Sequence, residues 1–130
     1  MSEASQRLQK FDCPVEGFQQ IINGKYKLRI LWDLRDAPKR YGEIRKGLIG
    51  TTGAKDITAR VLSRELKTLT EMGLLKRKGF RVVPPKVEYA LSPEAKTLVP
   101  VIAVMHKWGV EHLVRRSVLR KMGTVPDAGV

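Results

Sequence analysis

Hydrophobic positions recur at helical spacing through most of the chain, and the pattern predicts five helices and two strands. Val15, Phe18, Ile21 and Ile22 mark a first helix. Asp12-Cys13-Pro14 opens it, because proline suits the first helical position, where its missing N–H is not needed. Asn23-Gly24 closes it. Tyr26, Ile30, Leu31 and Leu34 share one face of a second helix over about 25–34, which Asp36-Ala37-Pro38 ends. A third, short helix over about 41–48 turns Ile44 and Leu48 inward. Residues 49–56 read as a Gly-rich turn.

The fourth helix, over about 59–72, is the most strongly two-faced. Thr58 caps it, since its side-chain oxygen can accept from an unpaired N–H of the first turn. Leu62, Leu66 and Leu69 fall on one side. Arg60, Ser63, Arg64 and Lys67 repeat at i, i+3, i+4 and i+7 on the other. Gly73 stops the helix and Leu74 packs back over its last turn.

The period then changes to two. Leu75 begins a strand carrying Lys76, Arg77 and Lys78, with Gly79 as a turn or bend. Val87, Tyr89 and Leu91 alternate with Lys86, Glu88 and Ala90, as a half-buried strand requires. Pro84-Pro85 falls between, where neither proline has to donate to a ladder. The pair reads as a hairpin with a basic tip. Ser92-Pro93-Glu94 starts a last helix, with Leu98, Val101, Ile102, Met105 and Trp108 at helical spacing and a kink expected at Pro100. Residues 1–12 read as a flexible arm, 13–114 as one domain, and 115–130 as a basic, frayed tail.

Length and composition narrow the function. The chain has 130 residues, 42% of them hydrophobic, enough for one domain with its own core. No apolar run approaches the ~20 residues of a membrane helix, and none resembles a signal peptide. A cytoplasmic protein without a membrane partner is expected. A single cysteine excludes an intramolecular disulfide and a cysteine-based zinc site. His106 and His112 offer little for metal chemistry. No nucleophile–base pair, carboxylate pair, metal cluster or phosphate loop is visible, so neither an enzyme nor a cofactor or metal is expected.

Charge is more telling. The formal net charge is +12, and it is unevenly placed. Residues 37–91 carry thirteen basic and five acidic side chains, a net of +8, against +1 before them and +3 after. Such a patch points to a polyanion. Three short helices, a two-faced fourth and a basic hairpin form the layout of a winged helix-turn-helix, mainly α with a small β-hairpin wing. A helix ~10–12 Å wide fits the ~12 Å major groove of DNA and brings exposed donors to base edges.

In detail the chain resembles the HxlR-type transcriptional regulators of bacteria and archaea. Cys13-Pro14-Val15 matches the family's N-terminal Cys-Pro motif. Asn23-Gly24-Lys25-Tyr26-Lys27 with Ile30-Leu31 matches its Gly-Gly-Lys-Trp segment, with Tyr26 for Trp. Arg40-Tyr41-Gly42-Glu43-Ile44 matches Arg-Phe-Gly-Glu-Leu. Ile57-Thr58 with Leu62, Leu66 and Leu69 matches its recognition helix. Residues 83–92, Val-Pro-Pro-Lys-Val-Glu-Tyr-Ala-Leu-Ser, are the strongest signature, and Pro100 and Trp108 match the last helix. The resemblance spans roughly residues 13–113. Two departures stand out: the turn before Ile57 is longer, by about Thr51–Asp56, and Ala95 replaces the usual Gly.

Pattern and resemblance together give a candidate site. Arg60, Ser63, Arg64 and Lys67, with Thr58 and Ala59 at the helix start, would meet bases and nearby phosphates. Lys76, Lys78, Arg81 and Lys86 would hold the backbone from the wing, and Arg40 and Tyr41 would touch phosphates at the edge of the motif. The apolar stripe of the terminal helices (Val15, Phe18, Ile22, Leu98, Val101, Ile102, Met105 and Trp108) exceeds what a small monomer covers and predicts a homodimer joined through them. Two recognition helices would then read a pseudo-palindromic operator in double-stranded DNA. Cys13 at a helix N-terminus suits a thiolate; in several members of the family the matching cysteine senses oxidants or electrophiles. None of these motifs specifies a small-molecule inducer. A winged-helix RNA-binding or ribosome-associated protein would share the charge, but would have no use for the two-faced helix and the dimer seam.

Overall fold

The computed structural model describes residues 12–52 and 57–114. The expected arm up to residue 11, the tail from residue 115 and turn residues 53–56 lie outside the described residues. The chain divides into two compact units, residues 1–99 and 100–130.

In the first unit, α1 spans Pro14–Ile22, with Pro14 in its first turn as its fixed φ requires. Asn23 follows as the C-cap, and Gly24 takes a φ of +108°, which glycine adopts without a Cβ penalty. α2 spans Lys27–Asp33 and buries Ile30 and Leu31. A two-residue strand, β1 (Lys39–Arg40), comes next. The sequence pattern did not predict it. α3 (Tyr41–Thr52) starts where the Glu43 carboxylate accepts from the Arg40 backbone N–H at 3.0 Å, half of a capping box.

α3 runs four residues past the expected end at Leu48, so Ile49–Thr52 are helical rather than turn. A glycine in a helix costs only about 1 kcal/mol, which continued backbone pairing overcomes. α4 (Ala59–Glu71) agrees with expectation at both ends. The Thr58 hydroxyl accepts from the Val61 N–H at 3.1 Å. At the far end Leu74 N–H donates to Leu69 O and Gly73 N–H to Thr70 O, both at 3.0 Å, with Gly73 at φ +79°. This is a Schellman motif, and both Leu69 and Leu74 are buried.

β2 (Leu75–Phe80) and β3 (Lys86–Leu91) pair antiparallel, from Leu75 opposite Leu91 to Phe80 opposite Lys86. β1 adds to the other side of β3, giving a three-stranded sheet in the order β1-β3-β2. Gly79 lies within β2, opposite Val87, rather than in the turn, which is formed by residues 81–85. The core joins Ile30, Leu31, Ile44, Leu48, Ile57, Leu62, Leu66 and Leu69, all fully buried. Truncating any one of these to alanine would cost about 2–5 kcal/mol.

The expected last helix is two helices. α5 (Pro93–Lys96) is one turn, capped by the Ser92 hydroxyl, which accepts from the Ala95 N–H at 3.1 Å. α6 (Val99–Gly109) follows and ends in a π-helical turn over Val110–Val114. Pro100 therefore does not kink a helix. It sits in the first turn of α6, where no N–H is needed. Among the described residues no helix is long and apolar enough to cross a membrane.

Candidate DNA interface

α4 shows how the candidate surface is built. Its leucines are pinned in the core, so helical geometry turns the opposite face outward. Arg60, Ser63, Arg64 and Lys67 are all exposed on it, as are Thr58 and Ala59 at its start. No ion pair involves Arg60, Arg64 or Lys67 among the described residues. Three cations and a hydroxyl thus share one open face.

α4 is held by polar ties to other elements. Lys27 Nζ in the first turn of α2 meets Glu65 Oε2 at 2.6 Å. The Tyr41 hydroxyl donates to the Ala59 carbonyl at 3.2 Å, so the half-buried Tyr41 is tied to α4 rather than projecting freely. Arg45 Nη2 donates to the Ile57 carbonyl at 3.3 Å, fixing the chain just before α4.

The wing has two faces, set by strand alternation. Lys76 and Lys78 lie on one, with Phe80, Glu88 and Lys86. Arg40, opposite Glu88 across the β1–β3 pairing, belongs to the same row. Lys86 Nζ pairs with Glu88 at 2.9 Å, and Lys78 and Lys86 sit 5.0 and 4.7 Å from the Phe80 ring centroid. Lys86 is thus half-buried and already paired, unlike the exposed Lys76 and Lys78. Arg77 falls on the other face, in a row with Tyr89 and Lys39. The tip is less basic than expected. Arg81 is exposed there, but beside it are Val82 and the fully exposed Val83.

Three contributors escaped the sequence reading. Lys39 and Glu65 matter through partners distant in sequence, Tyr89 and Lys27, and Glu88 through Lys86, two residues before it on the same strand.

Cys13 is the N-cap of α1 and is exposed. The backbone N–H of Glu16, and next that of Val15, favour the thiolate and hold the Cys13 pKa below its ordinary value. Of the residues expected in a dimer seam, Val15 is exposed on α1, while Phe18 and Ile22 are half-buried. On the C-terminal side Leu98 is half-buried, and Val101, Met105 and Trp108 are exposed. Ile102 does not fit that set, because it is only 4% exposed in the lone chain. Val104, Val110, Leu113 and Val114 extend the exposed apolar surface beyond the expected residues. Trp108 stacks on His112 at 4.7 Å between ring centroids. No cluster that could hold a metal ion occurs among the described residues.

A two-faced helix behind a helix-turn, flanked by a basic three-stranded wing, defines the winged-helix DNA-binding regulators. The chain belongs to the HxlR-like helix-turn-helix family, which residues 21–117 match. It is 41% identical over 100 residues to the HTH-type transcriptional regulator YdeP of Bacillus subtilis strain 168, covering 77% of this chain and 73% of YdeP. The redox regulator HypR in its reduced form superposes with a TM-score of 0.69 at 34% identity, over 84% of this chain and 99% of HypR. The reduced form of the transcriptional regulator YodB of B. subtilis does so with a TM-score of 0.62 at 26% identity, over 79% and 96%. The chain is a winged-helix transcriptional regulator.

Proposed function

We propose that the chain works as a homodimer on a pseudo-palindromic operator, with one α4 in each of two successive major grooves. The observation that carries this reading is the face of α4, where Arg60, Ser63, Arg64 and Lys67 are exposed together opposite a fully buried leucine row. Arg64 and its neighbours read base edges and nearby phosphates, as bidentate donors do. Lys76, Lys78 and Arg81 hold the backbone from the wing, with Arg40 beside them, while Lys86 contributes a charge that Glu88 partly offsets. The exposed apolar residues of α6 and of the turn after it supply the seam, which sets the two reading helices about 34–36 Å apart. The chain acts by binding rather than by catalysis, in the cytoplasm, where a regulator of transcription meets its DNA.

Cys13 is the proposed sensing thiol. Its exposure, its place at a helix start and its lowered pKa support this, as does the likeness to a redox regulator. With no second cysteine in the chain, oxidation ends in a sulfenic acid, a mixed disulfide with a small thiol, or a bridge to Cys13 of a second copy.

The test is selection of duplexes from a random-sequence DNA library on the purified protein, followed by titration against salt. A recovered inverted repeat, with a slope of about −5 to −9 in log affinity against log salt, is expected for ~6–10 phosphate contacts. A slope near zero, or equal binding of duplex RNA at the same salt, would contradict the reading.

A further inference from the structure

Glu65 is an odd residue for its position. It puts a carboxylate in the middle of the helix whose neighbours Arg64 and Lys67 face outward, where a negative charge opposes binding to phosphates. It does not project from that outer face. One residue beyond Arg64 it is turned ~100° around the helix, and Lys27 Nζ meets it at 2.6 Å. Both side chains are only 13% exposed, so the pair is nearly dry. A pair of that kind is weak support for stability, since desolvation offsets much of the attraction. It does, however, join the middle of α4 to the start of α2 through a contact that closes only when the two side chains meet. Leu62, Leu66 and Leu69 bury against the core by non-directional packing, which tolerates a small roll about the helix axis. The Tyr41–Ala59 hydrogen bond ties only the first residue of α4 to its surroundings, and the Schellman motif joins the last turn to its own chain.

We propose that Lys27 and Glu65 are positioning residues that fix the roll of α4, and through it the operator specificity of the protein. The inference rests on α4 being the reading helix. A roll of about 20° would carry a side chain at the ~5–6 Å outer radius of the helix through about 2 Å. That displacement breaks a bidentate hydrogen bond, whose donor–acceptor range is only about half an ångström wide. Attraction to phosphates, which falls off slowly with distance, would survive it. Loss of the pair therefore separates specific from non-specific binding.

The experiment uses the full chain and two probes: a duplex recovered from a random library on the wild-type protein, and a scrambled duplex of the same composition. Affinities are measured at one salt concentration for wild type, Lys27→Met, Glu65→Gln, Lys27→Arg and the reversed pair Lys27→Glu/Glu65→Lys, with thermal melting of each. Glu65→Gln should bind the scrambled duplex at least as tightly as wild type, because a negative charge is gone. Its preference for the selected duplex should nevertheless fall about tenfold, which is ~1.4 kcal/mol. Lys27→Met should lose the same preference, Lys27→Arg should keep it, and the reversed pair should recover most of it. Tighter binding of both duplexes by Glu65→Gln with an unchanged ratio would make Glu65 a charge and nothing more, and would overturn the proposal. A lower melting temperature with an unchanged ratio would make the pair a structural tie and would overturn it too. If the wild type recovers no preferred duplex at all, the reading of α4 fails first and the proposal falls with it.

Discussion

Tyr41 and Ala59, the first residues of α3 and α4, are joined by one hydrogen bond, from the Tyr41 hydroxyl to the Ala59 carbonyl at 3.2 Å. The residue before Tyr41 is Arg40, which pairs opposite Glu88 of the wing strand β3. Two adjacent residues thus link the wing to the start of α4. The helix-turn-helix and the wing are fastened together at this corner.

Replacing Tyr41 by Phe keeps the ring and removes the donor. The lost bond should cost about 0.5–1.5 kcal/mol, towards the lower end because the site is only half-buried. Urea denaturation of Tyr41→Phe against wild type measures it. A loss well above this range would mean that the ring packing, not the hydroxyl, had been disturbed.

Gly73 closes α4 at a φ of +79°, and a Cβ added there would meet nothing within 4 Å. The cost of Gly73→Ala is therefore backbone strain alone, about 1–2 kcal/mol. Asparagine tolerates the left-handed region better, so Gly73→Asn should lose less. Equal losses for the two variants, by chemical denaturation, would argue against this assignment.

The Cys13 thiol is held acidic by the N–H groups of Glu16 and Val15. Its thiolate fraction rises with pH through a midpoint below that of a free cysteine, about 8.5. Alkylation rate against pH should show this, and mild oxidant should change operator binding in wild type but not in Cys13→Ser. A midpoint near 9 would leave Cys13 as an ordinary exposed thiol.

A dimer built on α6 makes two substitutions on one helix behave differently. Met105 is exposed in the lone chain, so Met105→Glu should leave the fold intact and shift sedimentation to the monomer. Ile102 is buried, so Ile102→Glu should unfold the protein instead. A wild-type protein that is already monomeric at micromolar concentration would refute the seam.

The parts of the fold that were legible in the sequence are those with local causes. α4 is the clearest. Its cap at Thr58, its leucine row and its stop at Gly73 all lie within sixteen residues, from 58 to 73, and the structure has each where the pattern set it. Strand alternation likewise predicted the pairing of β2 with β3. β1 was not legible, because two residues have no period and are a strand only by pairing with β3. The break between α5 and α6 was missed for a related reason. The apolar spacing runs through it unbroken, and Pro100 is equally at home at a kink or in a first turn. The basic faces of α4 and the wing could be read from the chain, but the partner of Glu65 and the ring that gathers Lys78 and Lys86 could not. Lys27 meets Glu65 only once α2 and α4 have packed, and Phe80 gathers Lys78 and Lys86 only once the hairpin has formed.

The assignment of sequence readout to α4 and of backbone contact to the wing is tested most directly by comparing Arg64→Ala with Lys78→Ala on the selected and the scrambled duplex at equal salt. Arg64→Ala should lose roughly 1–3 kcal/mol of preference for the selected duplex. Lys78→Ala should weaken both duplexes alike and leave the preference unchanged. Equal losses on both duplexes for Arg64→Ala would contradict the assignment, as would a loss of preference confined to Lys78→Ala.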